Sequence, residues 1–427
     1  MAELTKSQKI IFLVFGIIIL IVVLMLLGIL PGLKSTQQKK SPPLPPMTLE
    51  FWGIDNEDYF KPLIEKFTTL YPNVTIHYKK INETEYESKL IDALAAQSGP
   101  DILMIKNSWI PKHINKLYPS SVTLKDLKNT FVDVVASDLY YVSNSQGRVW
   151  ALPLWVDTLA LFYNKDLFNN AGIALPPQNW EEFIKDVQLL TKRDSSGNIL
   201  QAGATLGTVN NISYPTEILL TLIMQNGQQL VDETGNAIFN SSKARDAINF
   251  YLSFANPTAP NYCWNSSLGN DIELFAQNKV AMIIAYSLDI PKIEGLNPYL
   301  NYGVSYLPQP TDAKLKQNLA NYWALAVSAT SRYPQMAWNF IYYIINNGMK
   351  DYMDLTRRPT PMRTLISECQ KDEKLGVFCE QSLFAKSWLQ LNPEKNTQII
   401  KNMLESIISG RSNVNTALSQ AVDLINK

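Results

Sequence analysis

Residues 151–172 read ALPLWVDTLALFYNKDLFNNAG, and the order of signals in this stretch decides the fold. Leu152-Pro153-Leu154 predicts extended backbone. Pro153 has no amide proton and a fixed φ, so the chain there is stiff and does not suit a central strand. Leu159 to Tyr163 then alternates as a strand does, and a short helix follows that stops at Gly172. Trp155 and Asp157 stand two residues apart in extended backbone, which puts an aromatic face and a carboxylate on the same side.

Working outward, the strand–helix order continues on both sides. Met47 to Trp52 predicts a strand, Tyr59 to Tyr71 an amphipathic helix, and Val74 to Tyr78 a second strand. Tyr86 to Ala96 is helical, and Asp101 to Ile105 is a third strand after the Ser98-Gly99-Pro100 turn. This β-α-β-α-β run argues an α/β fold with a mostly parallel sheet. Ligands of such sheets bind beyond the carboxyl ends of the strands, here the loops carrying Trp52, Asp55, Asn107 and Trp109. At 427 residues the chain holds more than one core, since single cores stop growing near ~250–300 residues.

Composition excludes several classes. Lys plus Arg number 38 against 38 Asp plus Glu, with no basic stripe, which argues against nucleic acid. The two histidines, His77 and His113, lack any partner motif, and no G-x-S-x-G, H-E-x-x-H or P-loop occurs. Carboxylates such as Glu83 and Glu85 are frequent, but nothing selects a catalytic pair. The reading is a protein that is not an enzyme and needs no metal or organic cofactor. Cys263, Cys369 and Cys379 lack C-x-x-C spacing. In an oxidising compartment Cys369 and Cys379 can close a small loop and leave Cys263 free; three reduced thiols is the other reading.

Ile10 to Leu30 is unbroken apolar sequence. At ~1.5 Å per residue it spans the ~30 Å core of a bilayer, whereas a signal-peptide core runs about 7–15 residues. No A-x-A site follows it and no cysteine lies near residue 30, so the expectation is an uncleaved transmembrane anchor over 10–30. Lysines flank both ends and do not orient it. The proline-rich segment 31–46 predicts an extended stalk.

The run 152–168 (LPLWVDTLALFYNKDLF), followed by P-x-N-W-E-E-F at Pro177 to Phe183, resembles the first hinge crossing of extracellular solute-binding proteins of the sugar-binding, maltose-binding-protein-like family. The run Phe275 to Tyr286 and the segment Asn301 to Pro310 are similar to further motifs of that family. The resemblance covers Met47 to the C-terminus. It implies two α/β lobes around a cleft, joined by three crossings. The first lobe is expected over 47–152 and 287–346, the second over 153–286 and 347–427, with one crossing ending at Tyr286 and another near Asn347. It also implies an extracytoplasmic body that captures a sugar for ABC permease subunits by hinge closure. The uncleaved anchor and the missing lipid cysteine depart from the common pattern.

A sugar offers C–H faces and rings of hydroxyls, so its site wants aromatic platforms among short polar groups. The loops that meet this need nominate Trp52, Asp55, Asn107, Trp109, Trp155, Asp157, Tyr214, Tyr286, Tyr322, Trp323 and Arg358. Each has a plainer reading: core packing for the aromatics, a hinge hydrogen bond for Asp157, a solvent position for Arg358 with Arg357 as its alternative. A sensor for a signalling partner, a carbohydrate-active enzyme, and a receptor for a peptide or polyamine stay open as other functions.

Overall fold

The computed structural model describes residues 5–26, 45–135 and 148–427. They form two units, Met1–Met47 and Thr48–Lys427. In the first, Lys6–Leu26 is a helix, and its stretch Lys6–Met25 is long and apolar enough to cross a membrane. The helix begins before Ile10 because Lys6 and Gln8 are good helix formers. The expected end of the span and the stalk up to residue 44 lie outside the described residues.

The body, Thr48–Lys427, is built on two sheets among the described residues. In the first, strands β1 (Met47–Gly53), β2 (Val74–Lys80), β3 (Ile102–Lys106), β11 (Asn318–Ser328) and β12 (Ala385–Lys386) run in the order β12-β11-β3-β1-β2. Strands β4 (Leu117–Tyr118) and β5 (Ala151–Thr158) also pair with β11. β1 and β3 are parallel and β11 runs against β3. The first four residues of β3, Ile102 to Ile105, are all buried, as a strand covered on both faces requires. The helix Glu57–Leu70 buries Phe60, Leu63 and Phe67, with the Phe67 ring 5.0 Å from Phe340 and the Phe60 ring 5.6 Å from Tyr352.

The second sheet has the order β10-β6-β9-β8-β7, from β6 (Ala160–Asn164), β7 (Lys192–Arg193), β8 (Ile199–Ala204), β9 (Val280–Ala285) and β10 (Tyr302–Ser305). β9 is buried throughout. Helix Trp180–Leu190 is capped by the Asn179 side chain, which accepts from the Glu182 amide.

The chain passes between sheets at places that correct the sequence expectation. β5 belongs to the first sheet and β6 to the second, so the first passage is at Leu159, not Pro153. Pro153 is carried by an edge: among the described strands β5 pairs only with β11, and the register shifts beside Pro153 and Trp155. Residues 287–305 do not join the first lobe, because β10 pairs with β6 of the second sheet. The second passage is therefore 306–317, not the end at Tyr286. Nor does the chain leave the first lobe near Asn347. Helices Pro334–Tyr343 and Met349–Thr356 are joined by a π-helical turn, and Gly348 presses on Leu63 so closely that a Cβ there would lie 2.7 Å from it.

Past Arg357, left-handed at φ 50°, the chain stays on the first lobe, where Arg358 pairs with Asp55 and Arg363 donates to the Lys128 carbonyl, and it turns away only after Arg363. Phe378 then packs on Phe162, and Lys374 bonds Glu294 at 2.7 Å, both on the second lobe. β12 returns to β11 before the closing helices Pro393–Ile408 and Val414–Ile425. Cys369 and Cys379 form a disulfide, and the free Cys263 is buried.

Candidate functional site

β3 ends at Lys106, and the tight turn Asn107–Trp109 follows it at the carboxyl edge of the sheet. Facing it from the second lobe are the first turn of helix Pro215–Gln225, with Thr216, Glu217 and Leu220, and Tyr286 just after β9. Pro215 opens that helix because its missing amide proton has no intrahelical partner to lose. The segment after β12, with Trp388 and Gln390, forms a third wall.

Two adjoining compartments result. The smaller, about 400 Å³, lies among Asn107, Trp109, Thr216, Glu217, Tyr286 and Trp388. The larger, about 890 Å³, lies among Asn107, Gln228, Gln229, Tyr322, Trp388 and Gln390. Asn107, Ser108, Ser387, Trp388 and Gln390 line both, so the two form one cleft between the lobes.

The cleft walls are rich in amides and hydroxyls, and most of their carboxylates are already engaged. Glu394 accepts from Trp109 Nε1 at 2.8 Å and from Lys112 at 3.2 Å. Asp133 pairs with Arg363, and Asp232 accepts within its own turn from Thr234 and Asn236. Burial raises the Glu217 carboxyl above its ordinary value. Two buried hydroxyls of residues lining the smaller compartment, Tyr286 Oη and Thr216 Oγ1, have no protein partner among the described residues. A buried hydroxyl left so costs roughly 1–3 kcal/mol, and a ligand or water can relieve it.

The nominated residues divide. Asn107, Trp109, Tyr286 and Tyr322 line the cleft. The other seven line neither compartment. Asp55 is buried, ion-paired to Arg358 at 2.6 Å and hydrogen-bonded by Tyr352, and the Arg358 guanidinium stacks 4.6 Å from the Trp155 ring centre. These three knit the first lobe together. Trp52 is half-buried with Lys79 over its ring at 4.6 Å. Trp323 is core, packed edge-on to Tyr86 and Trp109.

Asp157 is engaged within the protein, at the place its hinge reading assigns it. Its carboxylate accepts from the Ser287 amide and hydroxyl at 3.1 and 2.7 Å and from the amide of Leu288, tying β5 to the chain just past β9. Burial pushes this carboxyl up to about 6 against those donors. Beside it Asp289, pushed up to about 7 by burial, accepts from Tyr214 Oη at 2.8 Å, and Tyr214 packs edge-on to Tyr286.

Gln381 holds the passages together. Its Nε2 donates to Thr158 Oγ1 and the Leu159 carbonyl at the first passage, while its Oε1 accepts from the Leu307 amide and Asn318 Nδ2 at the second. Asn318 Nδ2 also donates to the Leu159 carbonyl at 2.6 Å. Sequence reasoning missed Gln381, Thr216, Glu217, Trp388 and Gln390. Trp388 alone carried a signal: a tryptophan stands in the short segment 387–393 just ahead of the helix that Pro393 opens.

A two-lobed α/β body with a polar cleft at the carboxyl end of β3, and with its strand passages gathered at one hinge, is the architecture of a ligand-capturing receptor. The chain matches the family of bacterial extracellular solute-binding proteins over residues 53–351, and it belongs to that family. It is 23% identical to the multiple sugar-binding protein of Streptococcus mutans, covering 86% of each chain. Its fold is similar to the sugar-binding protein MalE from Xanthomonas citri, with a TM-score of 0.72 at 20% identity, over 89% of this chain and 96% of that one. It is also similar to an ABC transporter solute-binding protein from Thermotoga lettingae bound with α-D-tagatose, with a TM-score of 0.68 at 23% identity, over 89% and 99%. Membership in an extracellular family places the body outside the cytoplasm.

Proposed function

We propose that this chain captures a carbohydrate in its interlobe cleft and delivers it to the permease subunits of an ABC transporter. The observation that carries the reading is the wall chemistry: a half-exposed tryptophan, Trp388, set among amides and hydroxyls contributed by both lobes. Amides donate and accept together, which matches neighbouring sugar hydroxyls, and the indole offers a face for C–H groups. Relatives named for sugar binding support the same reading. A polyamine needs several free carboxylates, and three of the five that line the cleft, Asp133, Asp232 and Glu394, are engaged.

Capture works by closure: a ligand touching both lobes favours the state in which they meet, and Gln381, Asn318 and Asp157 define the axis of that motion. Nothing in this step calls for a nucleophile or a metal. The body acts while tethered by the helix Lys6–Leu26. Intrinsic tryptophan fluorescence of the protein, titrated with mono- and oligosaccharides and with polyamine, peptide and amino-acid controls, tests the reading. A saturable change with one saccharide class that Trp388→Ala abolishes is the expected result. A response to a control with silence across the sugars overturns it.

A further inference from the structure

We infer that Glu394 is a latch between the lobes: through Trp109 and Lys112 it holds the cleft closed before any solute arrives. The inference rests on the two-lobed receptor fold and is independent of which solute the cleft takes.

The three residues belong to different lobes. Trp109 ends the turn after β3, and Lys112 lies in the short helix Ile110–His113 that follows, so both ride on the first lobe. Glu394 is the second residue of helix Pro393–Ile408. That helix packs on helix Pro215–Gln225 and on Val414–Ile425. Asn426, just past the latter, exchanges hydrogen bonds with both backbone groups of Ala237, so the closing helices belong to the second lobe. One Glu394 oxygen accepts from Trp109 Nε1 at 2.8 Å and the other from Lys112 Nζ at 3.2 Å. Gln381 and Asp157 join the lobes at the passages, where the chain already keeps them together. Trp109 and Glu394 meet at the wall of the smaller compartment, where a bond resists opening directly.

Both sides of the contact are set in advance. The Trp109 ring stacks on Tyr86 at 6.4 Å and meets Trp323 edge-on at 5.2 Å. Tyr86 is itself pinned, since its hydroxyl donates to the Trp52 carbonyl and accepts from the Met104 amide. Lys112 is steadied by Glu87 at 2.9 Å. On the second lobe the start of a helix favours a carboxylate. Burial works against the Glu394 charge, but its own amide, Trp109 and Lys112 outweigh it and hold the carboxyl below its ordinary value. Little side-chain freedom is therefore lost when the lobes meet. An exposed ion pair alone is worth little, but here the indole donor is only 8% exposed and bonds a charged acceptor.

The latch and a solute favour the same state. With both Glu394 oxygens engaged, about 400 Å³ stays open beside them, within the roughly 300–1,000 Å³ that pockets for small ligands hold. A solute thus occupies the closed cleft without displacing the latch. By raising the fraction of empty receptor in the closed state, the latch strengthens apparent affinity with no contact of its own to the solute.

Double electron–electron resonance on the full chain in detergent micelles, without solute, tests this. Nitroxide labels on Glu83→Cys in the first lobe and Asn402→Cys in the second, both exposed positions, report the separation of the lobes. Cys263 is buried and Cys369 is bridged to Cys379, so no native thiol takes the label. The labelled parent should show chiefly the shorter of two distances. Lys112→Met should lower the ratio of short to long about threefold, and Glu394→Ala about tenfold or more. Lys112→Arg should stay close to the parent. Raising salt to about 1 M should reproduce part of the Lys112→Met effect in the parent and leave Lys112→Met itself unmoved. Melting temperatures confirm that each variant is folded. The same distances in the parent and in Glu394→Ala overturn the latch, and so does a parent that shows only the longer distance. Either result leaves solute capture standing, because ligand contacts can drive closure unaided.

Discussion

Two residues selected for their chemistry, Asp55 and Arg358, show how one side-chain type serves either a ligand or the fold. Asp55 is buried and Arg358 mostly so, and the guanidinium is held on one side by the carboxylate and on its face by Trp155. Removing one partner of such a pair strands the other charge without water. Arg358→Ala should cost about 3–5 kcal/mol in urea unfolding. Arg358→Lys should recover less than half, because an ammonium lacks the planar face that stacks on the indole. Sugar affinity of the folded variant should stay within twofold, and a larger loss would return Arg358 to the binding set. Asp289 supports a second prediction at this scale. Its carboxyl is raised from an ordinary 3.8 to about 7, first by burial and also by the charge of Asp157, with Tyr214 and Lys292 opposing. Asp271 adds to the rise, while Arg358 faces Asp157 from the other side. The native state thus holds a proton that the unfolded chain releases near 4. The stabilisation is complete below that value and is lost as pH climbs toward 7. Asp289→Asn should flatten the melting curve over pH 4–7, by on the order of 2 °C. An unchanged slope would show that this carboxyl does not titrate in that window.

At the scale of elements, the parts legible in the sequence were those written in periodicity and caps. The β3 strand and the edge character around Pro153 both follow from local rules. The passages between lobes were harder, because membership in a sheet is decided by pairing partners far away. β10 reads as a strand from Tyr302 onward, but only its register with β6 assigns it to the second lobe. The cleft was half legible for the same reason. Asn107 and Trp109 sit at a strand end that any parallel sheet would expose, whereas Trp388 follows a two-residue strand too short to announce itself. Gln381 was invisible because its importance lies in four partners on three distant segments. Gln381→Ala strands the buried Leu307 amide and leaves Asn318 with one bond fewer, so a loss of roughly 2–4 kcal/mol is expected. Hydrogen exchange should quicken at Leu307 and around Thr158 while β3 stays protected. Uniform exchange across the body would show that Gln381 is ordinary core. The Cys369–Cys379 bridge closes a short loop on the same helix as Gln381. Cys369→Ser with Cys379→Ser should cost about 3 kcal/mol.

For the whole molecule, the decisive combination is a binding body carried on a chain whose first helix is apolar along most of its length. The body has its own core and its own cleft, so binding does not require the helix. The helix, for its part, leaves most of its described apolar side chains exposed, at 40–67% of their surface from Ile10 to Val23. About 20 apolar residues find their lowest free energy in a bilayer. A receptor tethered by this helix would be confined to a thin layer beside the membrane. There its effective concentration toward a permease would be set by the length of the connecting segment rather than by secretion or dilution. The full chain should therefore sediment with membranes, resist a carbonate wash and dissolve in detergent. Residues 47–427 should stay in the supernatant and bind saccharide with the same affinity as the full chain. Recovery of a shortened chain from the medium would mean that the apolar helix is removed, and the anchor reading would fall while the capture mechanism stood. A weaker affinity in the free body would instead show that the tether takes part in binding, which the separate core and cleft of the body argue against.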